Sequence, residues 1–269
     1  MKMKIKYPKK LNEKEIKKFF SSHGMEDLIM FPRSKSNLIN SFYNDGKQPE
    51  QPDFADLYRI YKFITLNKRT TVLEFGSGWS SLVIAEALRN NKLYYNNKIK
   101  HLRRNNPFEL FVLETSKKYL NISKKRIKNF YKKKKQKSIK VNWTLSKVKM
   151  HNINGYICTK YNKVPLCNPD FIYLDGPSQF DVKRSSNNFT TAHKDLMPMV
   201  GDILSIEFFL IPGTIILSDG RSANIEFLMK NFKRKWHHKR LKKEDQHLLI
   251  LTDNSLGRLN DRLIKFYDN

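Results

Sequence analysis

Apolar residues fall into two rhythms along this chain, and the switch from one to the other marks its elements. Over residues 11–20, Ile16, Phe19 and Phe20 gather on one side of a 3.6-residue period, which predicts a short amphipathic helix. Leu57, Ile60, Tyr61 and Ile64 keep the same spacing and predict a second helix over 53–66, packed on the sheet that follows. Short apolar runs then appear at 70–75, 108–114, 139–145, 170–175 and 213–219, each of strand length. Segments of helical character stand between most of them, at 80–89, 116–135 and 195–209, and 223–232 follows the last. Pro198 and Gly201 blur the limits of the third of these helices. Alternating strands and helices predict an α/β fold with a parallel sheet. Residues 235–241 and 246–252 read as a final antiparallel hairpin, and 90–107 as a polar insertion before the second strand.

The strand ends hold the candidate chemistry. Val72-Leu73-Glu74-Phe75-Gly76-Ser77-Gly78-Trp79-Ser80-Ser81 runs from an apolar strand through two glycines into a helix. Glycine lacks a Cβ, so a ligand can approach bare backbone there. The helix start aims its N–H groups at whatever binds. Glu74 stands two residues before the first glycine, where a carboxylate beside the ligand repels a pyrophosphate and attracts an ammonium. The dinucleotide fingerprint Gly-x-Gly-x-x-Gly fits less well. Its third glycine falls on Ser81, and no acid closing a second strand lies about 20 residues on.

Glu-x-Gly-x-Gly-x-Ser resembles the first motif of the Rossmann-like (class I) S-adenosylmethionine-dependent methyltransferases, with Ser80 where the family usually has a third glycine. The resemblance covers roughly residues 55–252 and implies a doubly wound, mostly parallel seven-stranded sheet with a C-terminal antiparallel hairpin. It implies S-adenosylmethionine as cofactor, with Glu74, Gly76, Ser77, Gly78, Ser80 and Ser81 lining its site. Glu114 ends the second strand at the position of the family's ribose-binding acid; the competing role is a cap on the helix after it. Asp175-Gly176-Pro177 ends the fourth strand and resembles the family's fourth motif. There Asp175 can orient the donor, act as a general base or hold a metal, or merely shape an Asp-Gly turn.

Asp219-Gly220-Arg221 ends the fifth strand in the same way, which makes Asp175 and Asp219 the candidate catalytic acids. Two carboxylates at neighbouring strand ends can share a Mg²⁺, a partial match to metal-dependent O-methyltransferases that leaves the metal open. Arg221 offers a planar donor fork for an anionic acceptor. The loop 178–194 carries Gln179, Asp181, Lys183, Arg184 and His193 and can cover the acceptor. His193 is a candidate base there; His237 and His238 read as solvent-facing.

An (Asn/Asp)-Pro-Pro-aromatic motif of base-amino methylation is absent from the fourth strand end, and Cys167 precedes that strand without a Pro-Cys pair. These absences favour a small-molecule or sugar-like acceptor, methylated on oxygen or nitrogen. Charge pulls the other way. The chain has 52 Lys and Arg against 25 Asp and Glu, a net +27 over 269 residues. Residues 115–169 hold no acid at all, Lys132 to Lys135 are consecutive, and Tyr131 and Trp143 can stack on bases. A nucleic-acid partner therefore stays open beside the simpler reading of a Lys-rich composition with a solvated surface. A non-catalytic binding protein that keeps the fold is the third reading. The length suits one large domain over 51–269 with an N-terminal helical extension over 1–50. Two cysteines cannot build a disulfide framework. With no apolar run of membrane-span length and no signal-peptide core, the expectation is a cytoplasmic protein.

Overall fold

The apolar runs pair into one sheet. The computed structural model describes residues 3–30, 51–182, 188–193 and 195–269. Lys183, Arg184 and residues 31–50 of the expected extension lie outside the described residues. The N-terminal part contributes α1 (Glu13–Ser22) and α2 (Glu26–Ile29). Asn12 opens α1 with a reciprocal capping box to Glu15. Then come α3 (Phe54–Leu66), capped by Asp53, and β1 (Thr71–Phe75). The alternation continues through α4 (Trp79–Ile99), β2 (Glu109–Glu114), α5 (Lys117–Lys133) and β3 (Lys140–Leu145). A small hairpin, β4 (Val148–Ile153) and β5 (Tyr156–Tyr161), precedes β6 (Phe171–Leu174). The chain closes with α6 (Asp202–Ile206), β7 (Ile215–Asp219), α7 (Ser222–Asn231), β8 (Trp236–Leu241), β9 (Gln246–Leu251) and α8 (Arg258–Asp268).

The main sheet has seven strands in the order β3-β2-β1-β6-β7-β9-β8. Pairing is parallel from β3 to β7, and β9 runs antiparallel to both β7 and β8. This is the doubly wound sheet with a terminal hairpin that the sequence predicts. Strand order reverses between β1 and β6, so their carboxyl ends flank the crevice where ligands bind in open α/β sheets. Side-chain alternation splits the core in two. Val72, Leu110, Val112, Phe171, Tyr173, Ile215 and Leu217 pack with α1, α3, α4 and α5. Leu73, Phe75, Leu113, Ile172, Leu174 and Ile216 pack with α6, α7 and the small hairpin. The N-terminal helices belong to the first of these cores: Ile16, Phe20, Met25 and Leu28 are buried in it. The Phe19 ring meets Tyr58 and Tyr61 of α3 edge-on at 5.1 Å.

Two expectations are corrected, and two elements appear where the apolar pattern assigns none. The polar stretch after residue 89 is not all loop, because α4 continues to Ile99. Its second half, with Leu93 and Tyr94 exposed, lacks the buried stripe that periodicity detects. Residues 147–167, where the apolar pattern marks no element, contain the β4–β5 hairpin, which turns at Asn154 and Gly155 with φ of 53° and 86°. The helix expected over 195–209 shrinks to α6 and one 3-10 turn. The C-terminal residues form α8, which buries Leu263, Ile264 and Tyr267.

Candidate active site

The reversal crevice opens as a cleft of about 370 Å³ above the carboxyl ends of β1, β2, β6 and β7. Gly76, Ser77, Gly78 and Ser80 line it from the β1–α4 turn, Glu114 from β2, and Asp175 and Asp219 from β6 and β7. The structure thus gathers seven of the nine sequence-predicted site residues around one cavity. The other two, Glu74 and Ser81, are fully buried and do not line it.

Glu74 is the clearest departure from the expectation of a carboxylate beside the ligand. It shares strand parity with Val72, so it points toward α4 and sits beneath that helix's first turn. Its two oxygens accept from Ser80 Oγ at 2.6 Å and Ser81 Oγ at 2.7 Å. Burial pushes its pKa up to about 8, against the lowering effect of those two hydroxyls. Glu74 therefore braces the turn from below. Gly76 departs in a second way. Its φ of +96° needs glycine, and its bare backbone is met by Gly176, where an added Cβ would lie 2.6 Å from the Gly76 nitrogen. The β1 and β6 ends are thus locked backbone to backbone. Gly78 faces the open cleft, and a Cβ there would meet nothing nearer than Ser80 Oγ at 3.7 Å.

Glu114 takes the capping part of the two roles the sequence left open. Its Oε1 accepts from the Thr115 and Ser116 backbone N–H groups at 2.7 and 2.8 Å, just ahead of α5. Its Oε2 accepts from Ser77 Oγ at 2.6 Å, and both residues line the cleft. Burial raises the pKa of Glu114, opposed by these hydrogen bonds. Beside it, Thr115 Oγ1 donates to Asp181 Oδ2 at 2.6 Å, which ties the loop after β6 to the end of β2.

Asp175 follows β6 and Asp219 closes β7, next to the paired Leu174 and Ser218. Asp175 is exposed to the cleft. Sequence reading missed Asp56. It lies in the first turn of α3, where a carboxylate is an ordinary helix-start signal, and nothing in the pattern says that α3 starts beside the end of β7. In the fold Asp56 lines the cleft and its carboxyl hydrogen-bonds with Asp219. Burial and the Asp219 charge hold the Asp56 pKa well above the usual carboxylate range. Arg59 pairs with Asp56 and donates its Nε to Gln246 Oε1 at 2.7 Å, and Gln246 stands opposite Asp219 in the sheet.

Arg221, offered above as an anion fork, is largely turned inward. Its Nη2 donates to the carbonyls of Asp175 at 2.6 Å and Pro177 at 2.9 Å, so it clamps the loop after β6. A second arginine that sequence reading passed over, Arg126 of α5, lines the cleft 3.9 Å from the Trp79 ring centroid. Burial lowers its pKa to about 10. His193 lies outside the cleft lining and faces solvent beside Asp195. His237 is exposed, as expected, and His238 is half-buried. It stacks on His247, with Nε2 2.9 Å from His247 Nδ1, and His247 Nε2 meets Ser222 Oγ at 2.8 Å. Among the described residues no group of three or more His, Cys, Asp and Glu side chains is placed to hold a metal ion. No described helix is long and apolar enough to cross a membrane.

No protein-family model matches the chain, and no curated protein matches it in sequence. Solved structures resemble it in fold. One is an O-methyltransferase from Bacillus cereus in complex with SAH, at 12% identity, 89% coverage of this chain, 97% of that chain and a TM-score of 0.43. Another is the O-methyltransferase TomG from Streptomyces achromogenes, involved in tomaymycin synthesis and in complex with SAM, at 12% identity, 91% and 92% coverage and a TM-score of 0.39.

Proposed function

We propose that this protein is an S-adenosylmethionine-dependent methyltransferase acting on an oxygen or nitrogen of a small acceptor. The observation that carries the reading is the cleft itself. A glycine turn at β1, the Glu114 carboxyl at β2 and two aspartates at β6 and β7 converge on one cavity at the strand-order reversal. The residues fit the donor. Gly78 leaves backbone bare, and Glu114 Oε2 with the Ser77 hydroxyl can exchange hydrogen bonds with a ribose. Asp53, Asp56, Asp175 and Asp219 surround the far end with carboxyl groups that suit a cationic ligand.

When bound, the donor supplies an activated methyl group, so the chain's own task is positioning and proton removal. Asp175 and Asp219 are the bases. Burial and the Asp219 charge raise the Asp56 pKa, which favours a proton shared by the two carboxyls and a carboxylate oxygen of the pair to take the acceptor's proton. Gly176 and the Arg221 clamp hold the β6 loop against β1.

Calorimetric titration with S-adenosylhomocysteine tests the reading. Wild type should bind in the micromolar range, about −8 kcal/mol. Glu114→Ala and Gly78→Leu should each weaken binding tenfold or more while keeping the wild-type circular dichroism. Folded wild type that does not bind would overturn the donor assignment.

A further inference from the structure

We infer that the outer face of α5 is a docking surface for a single-stranded nucleic acid, laid beside the mouth of the cleft. The inference stands on this face and not on the methyl-transfer reading. The exposed residues of α5 are Lys117, Lys118, Asn121, Lys124, Lys125, Lys128, Asn129, Lys132 and Lys133, every one Lys or Asn. Lys124, Lys128 and Lys132 climb one stripe in steps of about 6 Å.

Folding does not explain this stripe. Like charges at i,i+4 cost a few tenths of a kcal/mol each, about 0.2–0.5 per pair. Lys117 and Lys118 stand in the first turn, where the helix dipole disfavours cations, and that turn has no acid. The acids within reach serve other lysines: Glu26 and Asp27 serve Lys133, Glu86 serves Lys134 and Glu109 serves Lys140. Among the described residues Lys117, Lys124, Lys125, Lys128 and Lys132 make no ion pair. A polyanion would relieve this repulsion.

Two features choose the kind of polyanion. A lipid surface needs an apolar face to bury, and the exposed face of α5 has none. A half-buried aromatic ring stands beside the cations instead. Lys124 Nζ lies 5.8 Å from the Trp143 ring on the edge strand β3. Unpaired bases stack on such a ring while lysines hold the phosphates. Lys117 and Lys118 begin this face three and four residues after the cleft-lining Glu114, so its N-terminal end lies beside the cleft, which Tyr119 and Arg126 line from the opposite side of the helix.

The test is fluorescence anisotropy of a labelled, mixed-sequence 20-nucleotide RNA in 50 to 200 mM KCl. Saturable binding is expected, weakening steeply with salt. The triple variant K124E/K128E/K132E should bind at least tenfold more weakly at 100 mM KCl and flatten the log–log salt slope by about 2. The same charge change placed elsewhere, K9E/K10E/K14E, should weaken binding less than threefold. Trp143→Ala should weaken RNA but not polyglutamate. Absence of saturable binding at 50 mM KCl would sink the inference. So would equal losses in the two triple variants, which would mean that net charge alone attracts the strand. Equal competition by polyglutamate or by phosphatidylserine vesicles would show a general polyanion or lipid surface and overturn the assignment. Titrating S-adenosylhomocysteine into the same preparations separates this outcome from failure of the donor site.

Discussion

Glu74 shows how one carboxyl can serve a site without touching its ligand. Its proton makes the first prediction. Burial holds its pKa near 8, so the folded chain keeps a proton that the unfolded chain releases above the usual glutamate range. A raised folded pKa gives stability that is complete below about pH 4.3 and lost as pH rises toward 8. Glu74→Gln keeps one acceptor for a serine hydroxyl and removes the titration. The variant should therefore gain on wild type as pH rises from 5.5 to 7.5, by at most about 1.4 kcal/mol per unit. Urea denaturation at three pH values reads it, and parallel profiles would refute it. Asp202, pushed up to about 7 by burial, and Asp56 and Glu114, shifted the same way, leave a slope in both proteins. At this scale the sequence revealed residue types at strand ends but not their direction. Period two decides that Glu74 faces α4, and that parity follows only once the core faces are known. Asp56 was hidden for a different reason: its partner Asp219 is more than 160 residues away, and no local pattern encodes the meeting.

Elements were legible where burial leaves a rhythm and illegible where it does not. β1, β2, β6 and β7 are apolar runs because both faces are covered, and each was found within a residue or two. α8 was missed, although Leu263, Ile264 and Tyr267 keep helical spacing, because Ser255 and Gly257 open it amid polar residues. Its anchor is a buried knot. Asp170 accepts from the Thr70 and Thr71 N–H groups at 2.9–3.0 Å, from Thr70 Oγ1 at 2.6 Å and from the Tyr267 hydroxyl at 2.7 Å. The Tyr267 ring in turn carries the Arg69 guanidinium at 4.0 Å, and Arg69 Nη1 donates to the Gly213 carbonyl at 2.8 Å. One knot therefore joins the start of β1, the start of β6 and α8. Tyr267→Phe removes a single hydrogen bond to a charged group and should cost about 1.5–3 kcal/mol. Asp170→Ala leaves several buried donors without an acceptor and should cost more, about 3–5 kcal/mol. Chemical denaturation measures both. Equal costs would mean that the backbone N–H groups find other partners.

At the scale of the molecule, charge is the feature that neither fold nor cleft requires. Both aspartates of the proposed chemistry, and Glu114, sit in a chain of net +27, so an acidic cleft opens in a cationic surface. A field of that sign repels a cationic donor at long range and attracts anions to the rim, and salt screens both effects. Its self-repulsion also opposes compactness. Raising ionic strength from 10 to 100 mM shortens the Debye length from about 30 to about 10 Å, which silences charges on opposite sides of the protein while leaving neighbours along α5 in contact. Thermal melting in KCl should therefore shift upward over this range, and a rise of about 3 °C corresponds to roughly 1 kcal/mol for a chain of this size. K124E/K128E/K132E should melt higher than wild type at 10 mM KCl and show a smaller salt gain, because it removes repulsion at its densest point. A melting point that falls with salt would mean that the lysines are already neutralised by acids on this chain. The lysine stripe would then be part of the fold's own electrostatics, with no repulsion left for a polyanion to relieve.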